Sequence, residues 1–175
     1  MARKPKSPKA SSSNVRRIAY REGDWFLIPL RDGSGFGAGV VARVGRRGVT
    51  LGYFFGPKHA GRASLVDVER DAPTGAVLVG KFGDLGLIRG SWPLLGQTPG
   101  RWARERWPIP EFVRTDVISG SRRKVIYVEG DLSTETATIP IDARDAADLP
   151  ADGLMGFGAV EIRLTNLLEG PDREH

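Results

Sequence analysis

The apolar residues of this chain form short runs that glycine-rich turns separate. The first run is Trp25 to Leu30, and Val40 to Val44 and Thr50 to Phe55 follow it. Runs of β-branched and aromatic residues bounded by glycine are typical of strands. Gly45 to Gly48, between the second and third runs, suits a tight hairpin. The pattern therefore predicts a β-meander, with Pro29 at an edge or a bulge because proline cannot donate to a strand ladder.

Further strands are predicted after residue 75, at Ala76 to Val79, Val125 to Val128 and Ala137 to Ile141. Residues 83–90 continue in a pattern of strand and turn. Ser64 to Arg70 is too short for periodicity to decide between helix and strand. The prolines of residues 97–112 disfavour helix and predict an ordered loop held by tryptophans. Asp142 is placed to cap a brief helical turn that Pro150 ends.

The C-terminal segment carries apolar residues at helical spacing: Phe157, Val160, Leu164, Leu167 and Leu168. Val160, Ile162 and Leu164 also alternate as in a strand, but the longer stripe favours a helix covering one face of a sheet. The whole pattern predicts an α+β fold in which β dominates. We expect a strongly bent antiparallel sheet or an incomplete barrel, with short helices and a C-terminal helix packed on it.

Charge divides the chain into a tail and a nearly neutral remainder. The formal net charge of +5 includes six basic and no acidic residues within residues 1–17, which leaves 20 basic against 21 acidic residues beyond them. We expect residues 1–17 to be a disordered basic tail, because they have too little apolar surface to offset the entropy of ordering. Residues 18–170 are predicted to form one globular domain, followed by a short tail at 171–175.

The composition gives little support to export, membrane insertion or disulfide chemistry. The tail has no apolar core of a signal peptide, and no stretch has the roughly 20 apolar residues that a membrane-spanning helix needs. The chain has no cysteine, which fits a reducing compartment. We therefore expect a cytoplasmic protein without a membrane partner.

The residues that could carry catalysis or bind a cofactor are few. Gly33 to Ala38 matches a loose dinucleotide-binding pattern, but a strand follows it where that pattern requires a helix. Of the two histidines, His59 lies in a turn-like stretch and His175 is the last residue, so no metal centre is expected. Asp24 and Asp84 lie in apolar surroundings, where we expect them to accept backbone N–H bonds from turns. The sequence predicts no catalytic residue, no cofactor and no metal.

Two neighbouring segments differ in charge. Residues 101–124, the basic segment, hold seven basic and three acidic residues, whereas residues 129–152, the acidic segment, hold seven acidic residues and one basic residue. An acidic surface can steer a basic partner toward it. The predicted partner-binding residues are Glu129, Asp131, Asp142, Asp145, Asp148 and Asp152.

The tryptophans of the basic segment allow a second interpretation. Trp102 and Trp107 lie among arginines and could stack on single-stranded nucleic acid. The alternative is that both rings fill the core and that arginine stems pack over them. Because the folded part lacks an overall positive charge, we do not expect the folded domain to bind nucleic acid.

An ordered series of glycine, proline and aromatic motifs runs from residue 23 to residue 161. Its parts are Gly23 to Leu30 with Asp32-Gly33, Gly52 to Gly56, Lys81 to Leu87, Gly90 to Gly96, Trp107 to Phe112 and Gly158 to Glu161. Over about residues 20 to 168, the series resembles the immunity protein 26 family of bacterial polymorphic toxin systems.

The resemblance implies a cytosolic antidote in competition between bacteria. Such a protein binds and neutralises a cognate toxin domain, encoded nearby, by protein–protein occlusion, and it is not an enzyme. The alternative function is a nucleic-acid-binding β module that uses the basic tail and the region from Arg101 to Lys124. If the chain is a toxin-binding antidote, the acidic segment is the expected toxin-binding surface.

Overall fold

A computed structural model describes residues 19–170, so the predicted tails at 1–17 and 171–175 lie outside the described residues. The strands are β1 (Trp25–Pro29), β2 (Phe36–Val44), β3 (Val49–His59), β4 (Ala76–Gly83), β5 (Leu94–Gly96), β6 (Phe112–Thr115), β7 (Arg122–Val128), β8 (Asp131–Ile141) and β9 (Leu154–Met155). The helices are α1 (Leu65–Val68), α2 (Leu85–Ile88) and α3 (Phe157–Glu169), with 3-10 turns at Arg31–Gly33, Arg46–Gly48 and Arg104–Arg106. The predicted α+β class with β dominant is confirmed.

Six strands form the larger sheet, in the order β5-β1-β2-β3-β4-β9. All neighbours are antiparallel except β9, which runs parallel to β4. The predicted hairpin between β2 and β3 is confirmed, and it closes where the N–H of Gly45 donates to the carbonyl of Val49. The other three strands form a smaller antiparallel sheet in the order β6-β7-β8. Within the described residues these strands do not close into a barrel.

β1 is an interior strand of the larger sheet, and Pro29 is its last residue. The predicted edge position holds for Pro29 alone, because no strand within residues 19–170 pairs with it on the side of β5. β5 pairs with Trp25 and Phe26, and the N–H of Leu27 donates to the carbonyl of Pro93 on the same side. Pro29 is two residues further on, so its nitrogen faces the side where β5 has already ended. The missing N–H therefore leaves no gap in the ladder to β2.

The strands β1, β2 and β3 of the six-stranded sheet are buried on both faces, which explains why they are apolar at consecutive positions. Trp25 and Leu27 enter one core, and Phe26 and Ile28 enter the other. The first core lies toward the smaller sheet and includes Val40, Tyr53, Phe55, Trp107, Phe112, Val125 and Leu132. The second lies toward α3 and includes Phe54, Phe82, Trp92, Met155, Val160 and Leu164. The molecule thus has three layers: the smaller sheet, the larger sheet and the C-terminal helix.

Of the glycine run before Val40, Gly33 and Gly35 lie in the loop that joins the antiparallel strands β1 and β2, whereas Gly37 and Gly39 lie within β2. β2 begins at Phe36, and its glycines allow close approach by neighbouring side chains. A Cβ atom on Gly37 would lie 2.5 Å from a methyl carbon of Leu164, and one on Gly39 would lie 2.6 Å from the ring of Phe26. Glycine in a strand often marks such an approach.

Two short helices account for the ambiguous segments. Residues 65–68 form α1, with Ser64 and Asp67 in a reciprocal capping box. The strand-and-turn prediction for residues 83–90 is wrong, because Leu85–Ile88 is α2 and the N–H of Leu87 donates to the carbonyl of Asp84. Both helices have four residues, which is too short for a helical period to show in the sequence.

The predicted C-terminal helix is confirmed as α3, and its buried stripe is narrower than expected. Val160 and Leu164 are fully buried, and Phe157 and Leu168 pack on the same core. Leu167 is instead 51% exposed.

Candidate partner-binding surface

The two carboxylates in apolar surroundings have structural partners. Asp24 accepts the backbone N–H of Arg21 at 2.9 Å, as predicted. Asp84 differs from the prediction, because its partner is the hydroxyl of Tyr20 at 2.7 Å. Burial is the main cause that raises the pKa of Tyr20 to about 12, so this hydroxyl stays protonated and can donate at neutral pH. Each carboxylate therefore has a role in holding the chain segment that enters β1.

An open cavity of about 440 Å³ lies beside β4. Its walls are Ala76 to Gly80 of β4, residues 147–151 and 153–156, and Ala159 and Arg163 of α3. Asp148 and Arg163 are the charged residues of this lining. β9 pairs only with Lys81 and Phe82, so the rest of β4 borders the cavity along its backbone. Among residues 19–170, no cluster of three or more potential ligand side chains is placed to hold a metal ion.

Asp152, one of the predicted partner-binding residues, lies inside the protein. Its side chain is 2% exposed and accepts hydrogen bonds from Lys81 at 2.6 Å, Tyr127 at 2.8 Å and Arg114 at 2.5 Å. Burial alone would raise the pKa of Asp152, but the hydrogen bonds from Lys81, Tyr127 and Arg114 together hold it below its usual range. Lys81 comes from the larger sheet and Arg114 from the smaller one, so Asp152 joins the two sheets.

Glu129 and Asp131 also have partners within the fold. The carboxylate of Glu129 accepts hydrogen bonds from the guanidinium of Arg43. Arg43 is buried and also donates to the carbonyl of Ala42 at 2.6 Å. Asp131 accepts hydrogen bonds from the hydroxyls of Ser133 and Thr134, which are the main causes that lower the pKa of Asp131 to about 2. Both carboxylates are therefore engaged within the fold, beside the turn that joins β7 to β8.

Asp142, Asp145 and Asp148 are exposed. Asp142 caps a turn as predicted, because its carboxylate accepts the backbone N–H of Asp145 at 2.8 Å. In the described part of the chain, no basic side chain forms a salt bridge with any of the three. We call residues 142–148 the acidic turn.

The predicted acidic surface is divided between two ends of the smaller sheet. In the register of β7 with β8, Val128 lies opposite Asp131 at one end, and Arg122 lies opposite Ile141 at the other. Arg122 and Val128 are six positions apart, which is roughly 20 Å along an extended strand. Glu129 and Asp131 are therefore remote from the acidic turn, which begins directly after Ile141.

Four of the seven basic residues in the basic segment form salt bridges within residues 19–170, and three of the four pair with acids from other parts of the chain. Arg101 pairs with Glu69 and Asp71, Arg104 with Glu22, Arg114 with Glu135 and Asp152, and Lys124 with Glu111. Arg122 and Arg123 are exposed at the end of β7 where the acidic turn begins. Arg114 of the basic segment thus pairs with Glu135 and Asp152 of the acidic segment, so the two segments contact each other directly.

Trp107 belongs to the core and the partly buried Trp102 packs against it, as the alternative to nucleic-acid stacking predicted. Trp107 is 1% exposed and lies between Trp25 and Tyr53, with ring centroids 6.0 and 5.5 Å away. Trp102 stacks on Trp107 at 5.5 Å. These rings fix the loop at residues 97–112 against the larger sheet.

The turn between β6 and β7 is a feature that sequence reasoning missed. Residues 116–121, which we call the tip turn, expose Val117 and Ile118 to 98% and 97%. Thr115, Arg122 and Ile141 lie in one row across the smaller sheet, so the tip turn and the acidic turn leave the same end of it. A signal was present in the sequence, since two β-branched apolar residues stand where turn-forming polar residues are expected.

A scan against protein-family models matches residues 21–124 with the model described as immunity protein 26. The chain belongs to this family. Searches of curated proteins and of solved structures give no significant match.

The matched range of this immunity protein covers β1 to β6, together with the first residues of β7. It includes the predicted motifs from Gly23 to Phe112, and the closing motif at Gly158 to Glu161 lies beyond it. The tip turn falls inside the matched range, and the acidic segment follows it. Among residues 19–170, the helices are all too short or too polar to cross a membrane.

Proposed function

We propose that this immunity protein binds and neutralises a cognate bacterial toxin domain, encoded nearby, and that it does so by occlusion rather than by catalysis. The observation that carries the proposal is its membership of the immunity protein 26 family. The arrangement of its carboxylates supports a binding role, because Asp24, Asp84 and Asp152 are all engaged in holding the fold. We place the complex in the cytoplasm.

The acidic turn is the part of the predicted surface that we assign to the toxin. Asp142, Asp145 and Asp148 are exposed carboxylates in one short segment, and the turn is held by the cap at Asp142. Unpaired surface charges of one sign accelerate association with a partner of opposite sign. The matching toxin surface therefore carries basic groups.

The proposal is tested with the toxin domain encoded in the neighbouring reading frame. Purified full-length protein is titrated with a catalytically inactivated form of that domain in a calorimeter, and protection is measured by co-expression with the active form. We expect a one-to-one complex and restored growth. A wild-type protein that neither binds nor protects contradicts the proposed function.

The acidic turn has its own variant. Asp145→Lys combined with Asp148→Lys leaves the cap at Asp142 intact, and we expect it to lower the association rate at least tenfold at low salt. Glu105→Lys is the matched control, since Glu105 is also an exposed acid without a salt bridge among the described residues. If the double variant associates as fast as this control, the acidic turn does not face the toxin.

A further inference from the structure

The tip turn exposes two large apolar side chains that the fold does not use. Val117 and Ile118 are 98% and 97% exposed, more than the other large apolar residues among residues 19–170. Single exposed apolar residues are common on soluble proteins and need no explanation. Two adjacent β-branched residues at the outermost point of a hairpin are different, because together they form a compact apolar projection that only a second molecule can bury.

The backbone under these side chains is held in place. Asp116 accepts hydrogen bonds from the N–H groups of Ile118 at 3.0 Å and Ser119 at 2.7 Å, and from the hydroxyl of Ser119 at 2.9 Å. The N–H of Asp116 donates to the carbonyl of Ser121, and the N–H of Gly120 to that of Asp116. A turn fixed in this way presents Val117 and Ile118 with little loss of backbone entropy on binding.

The surroundings of the projection are polar on two sides. Arg122 and Arg123 begin β7 directly after the tip turn, and the acidic turn starts beside Arg122 in the next strand. An apolar centre with a charged rim is the usual anatomy of a protein–protein interface. The end of the smaller sheet has this arrangement.

We propose that the tip turn is the apolar anchor of the toxin interface, with Val117 and Ile118 inserted into an apolar recess of the toxin domain. This inference rests on the proposed function and adds the element that makes the contact. Around this recess the toxin carries basic groups that meet the acidic turn and acidic groups that meet Arg122 and Arg123. Apolar anchors seated in a recess supply most of the binding energy in such interfaces.

The occupant follows from the proposed function. The chain belongs to the immunity protein 26 family, for which we propose a toxin partner, and the tip turn falls inside the matched range at residues 21–124.

The test compares a double variant in the tip turn with a single control variant elsewhere, in the calorimetric titration with the inactivated toxin domain. In Val117→Ser with Ile118→Ser, Asp116 and the turn remain, and we expect the dissociation constant to rise about 100-fold. We expect the unfolding midpoint in urea to stay at the wild-type value, because neither side chain is buried. Val66→Ser on α1 is the matched control, since Val66 is 82% exposed but lies elsewhere, and its dissociation constant should not change.

Each result decides the matter. If the wild type binds and the double serine variant binds within twofold of it, the anchor is wrong and the proposed function stands. If the wild type fails to bind or protect, the proposed function fails and the anchor with it. A wild-type dimer in light scattering that the double serine variant converts to a monomer would replace the toxin by a second copy of this chain.

A second variant tests the role of Asp116 as a positioning residue. Asp116→Ala removes the acceptor that orders the turn but leaves both apolar side chains, so we expect a several-fold weaker complex. Asp116→Asn keeps an oxygen acceptor and should restore most of the affinity. Equal affinity for the alanine variant and the wild type would contradict a pre-ordered anchor.

Discussion

Strands β1 to β3 of the larger sheet are buried on both faces, whereas the smaller sheet is buried on one face only. In the larger sheet, Trp25 and Phe26 are neighbours in sequence, point to opposite faces and are both buried. In the smaller sheet, Val125 is buried, but its neighbour Lys124 lies opposite Ile139, which is 44% exposed. Aromatic contacts hold the larger sheet, and the smaller sheet is joined to it by the apolar core that includes Phe112 and Val125 and by the ion pairs of Asp152.

This difference separates two tasks within one small fold. A strand whose two faces are both packed tolerates few changes, since any side chain touches a core. A sheet with one free face can vary its outer residues and end turns at little cost in stability. We therefore expect stability to depend mainly on the larger sheet and partner recognition on the smaller one.

The largest expected effect is the loss of a core ring from the larger sheet. Phe26 is fully buried, stacks on Trp92 at 5.5 Å and also contacts Phe54 and Phe82. Phe26→Ala should lower the free energy of unfolding by about 3–5 kcal/mol, measured by urea denaturation. Ile139→Ala, the matched truncation in the smaller sheet, should cost less than about 1 kcal/mol. Similar losses for both variants would contradict the division between the sheets.

The next effect concerns the ion pair that joins the two sheets. Asp152→Asn leaves Lys81 without its charged partner, and we expect a loss of about 3 kcal/mol at neutral pH. Asp145→Asn, at an exposed aspartate, is the control and should stay within about 0.5 kcal/mol of the wild type.

The same pair predicts a dependence on pH. The pKa of Asp152 is lowered in the folded protein, so its contribution is complete above the unfolded value near 4 and is lost as the pH falls through the folded value. The wild type should therefore lose stability below about pH 4, and Asp152→Asn should lose less over that range. Identical slopes for the two proteins would show that Asp152 does not contribute in this way.

The smallest effect is expected for an ion pair on the outer part of the smaller sheet. Lys124 and Glu111 lie 3.0 Å apart with partly exposed side chains. Glu111→Gln should cost between about 0 and 1 kcal/mol, and the difference from the wild type should vanish in 1 M salt. A larger loss that persists in salt would mean that this pair, like that of Asp152, is effectively buried.

The sequence allowed the strands to be predicted where apolar runs were long, and it failed where contacts at a distance decide the structure. Trp25 to Leu30 is recognisable as a strand because consecutive apolar residues fit burial on both faces. Gly37 gave no sign of lying inside a strand, because only the approach of Leu164, which is far away in the sequence, explains a glycine there. The four residues of α2 gave no period to detect.

The candidate surface was predictable only in part, for a similar reason. A run of acidic residues in the sequence does not show which of them meet a cation in the fold. Asp152 meets Lys81 and Arg114, which are 71 and 38 positions away. Asp142 and Asp145 have no such partner among the described residues. The tip turn was missed because the pattern of a turn was taken from its polar residues rather than from its exposed apolar ones.

The hydrogen bonds that Asp116 accepts make the tip turn independent of the two side chains it carries. Its shape is set by an aspartate, a serine and backbone groups, so residues 117 and 118 can be exchanged without redesigning the loop. The side chains at these two positions can be varied while the backbone of the turn keeps its shape. A library randomised at 117 and 118 alone is thus a compact starting point for redirecting this protein to a different partner.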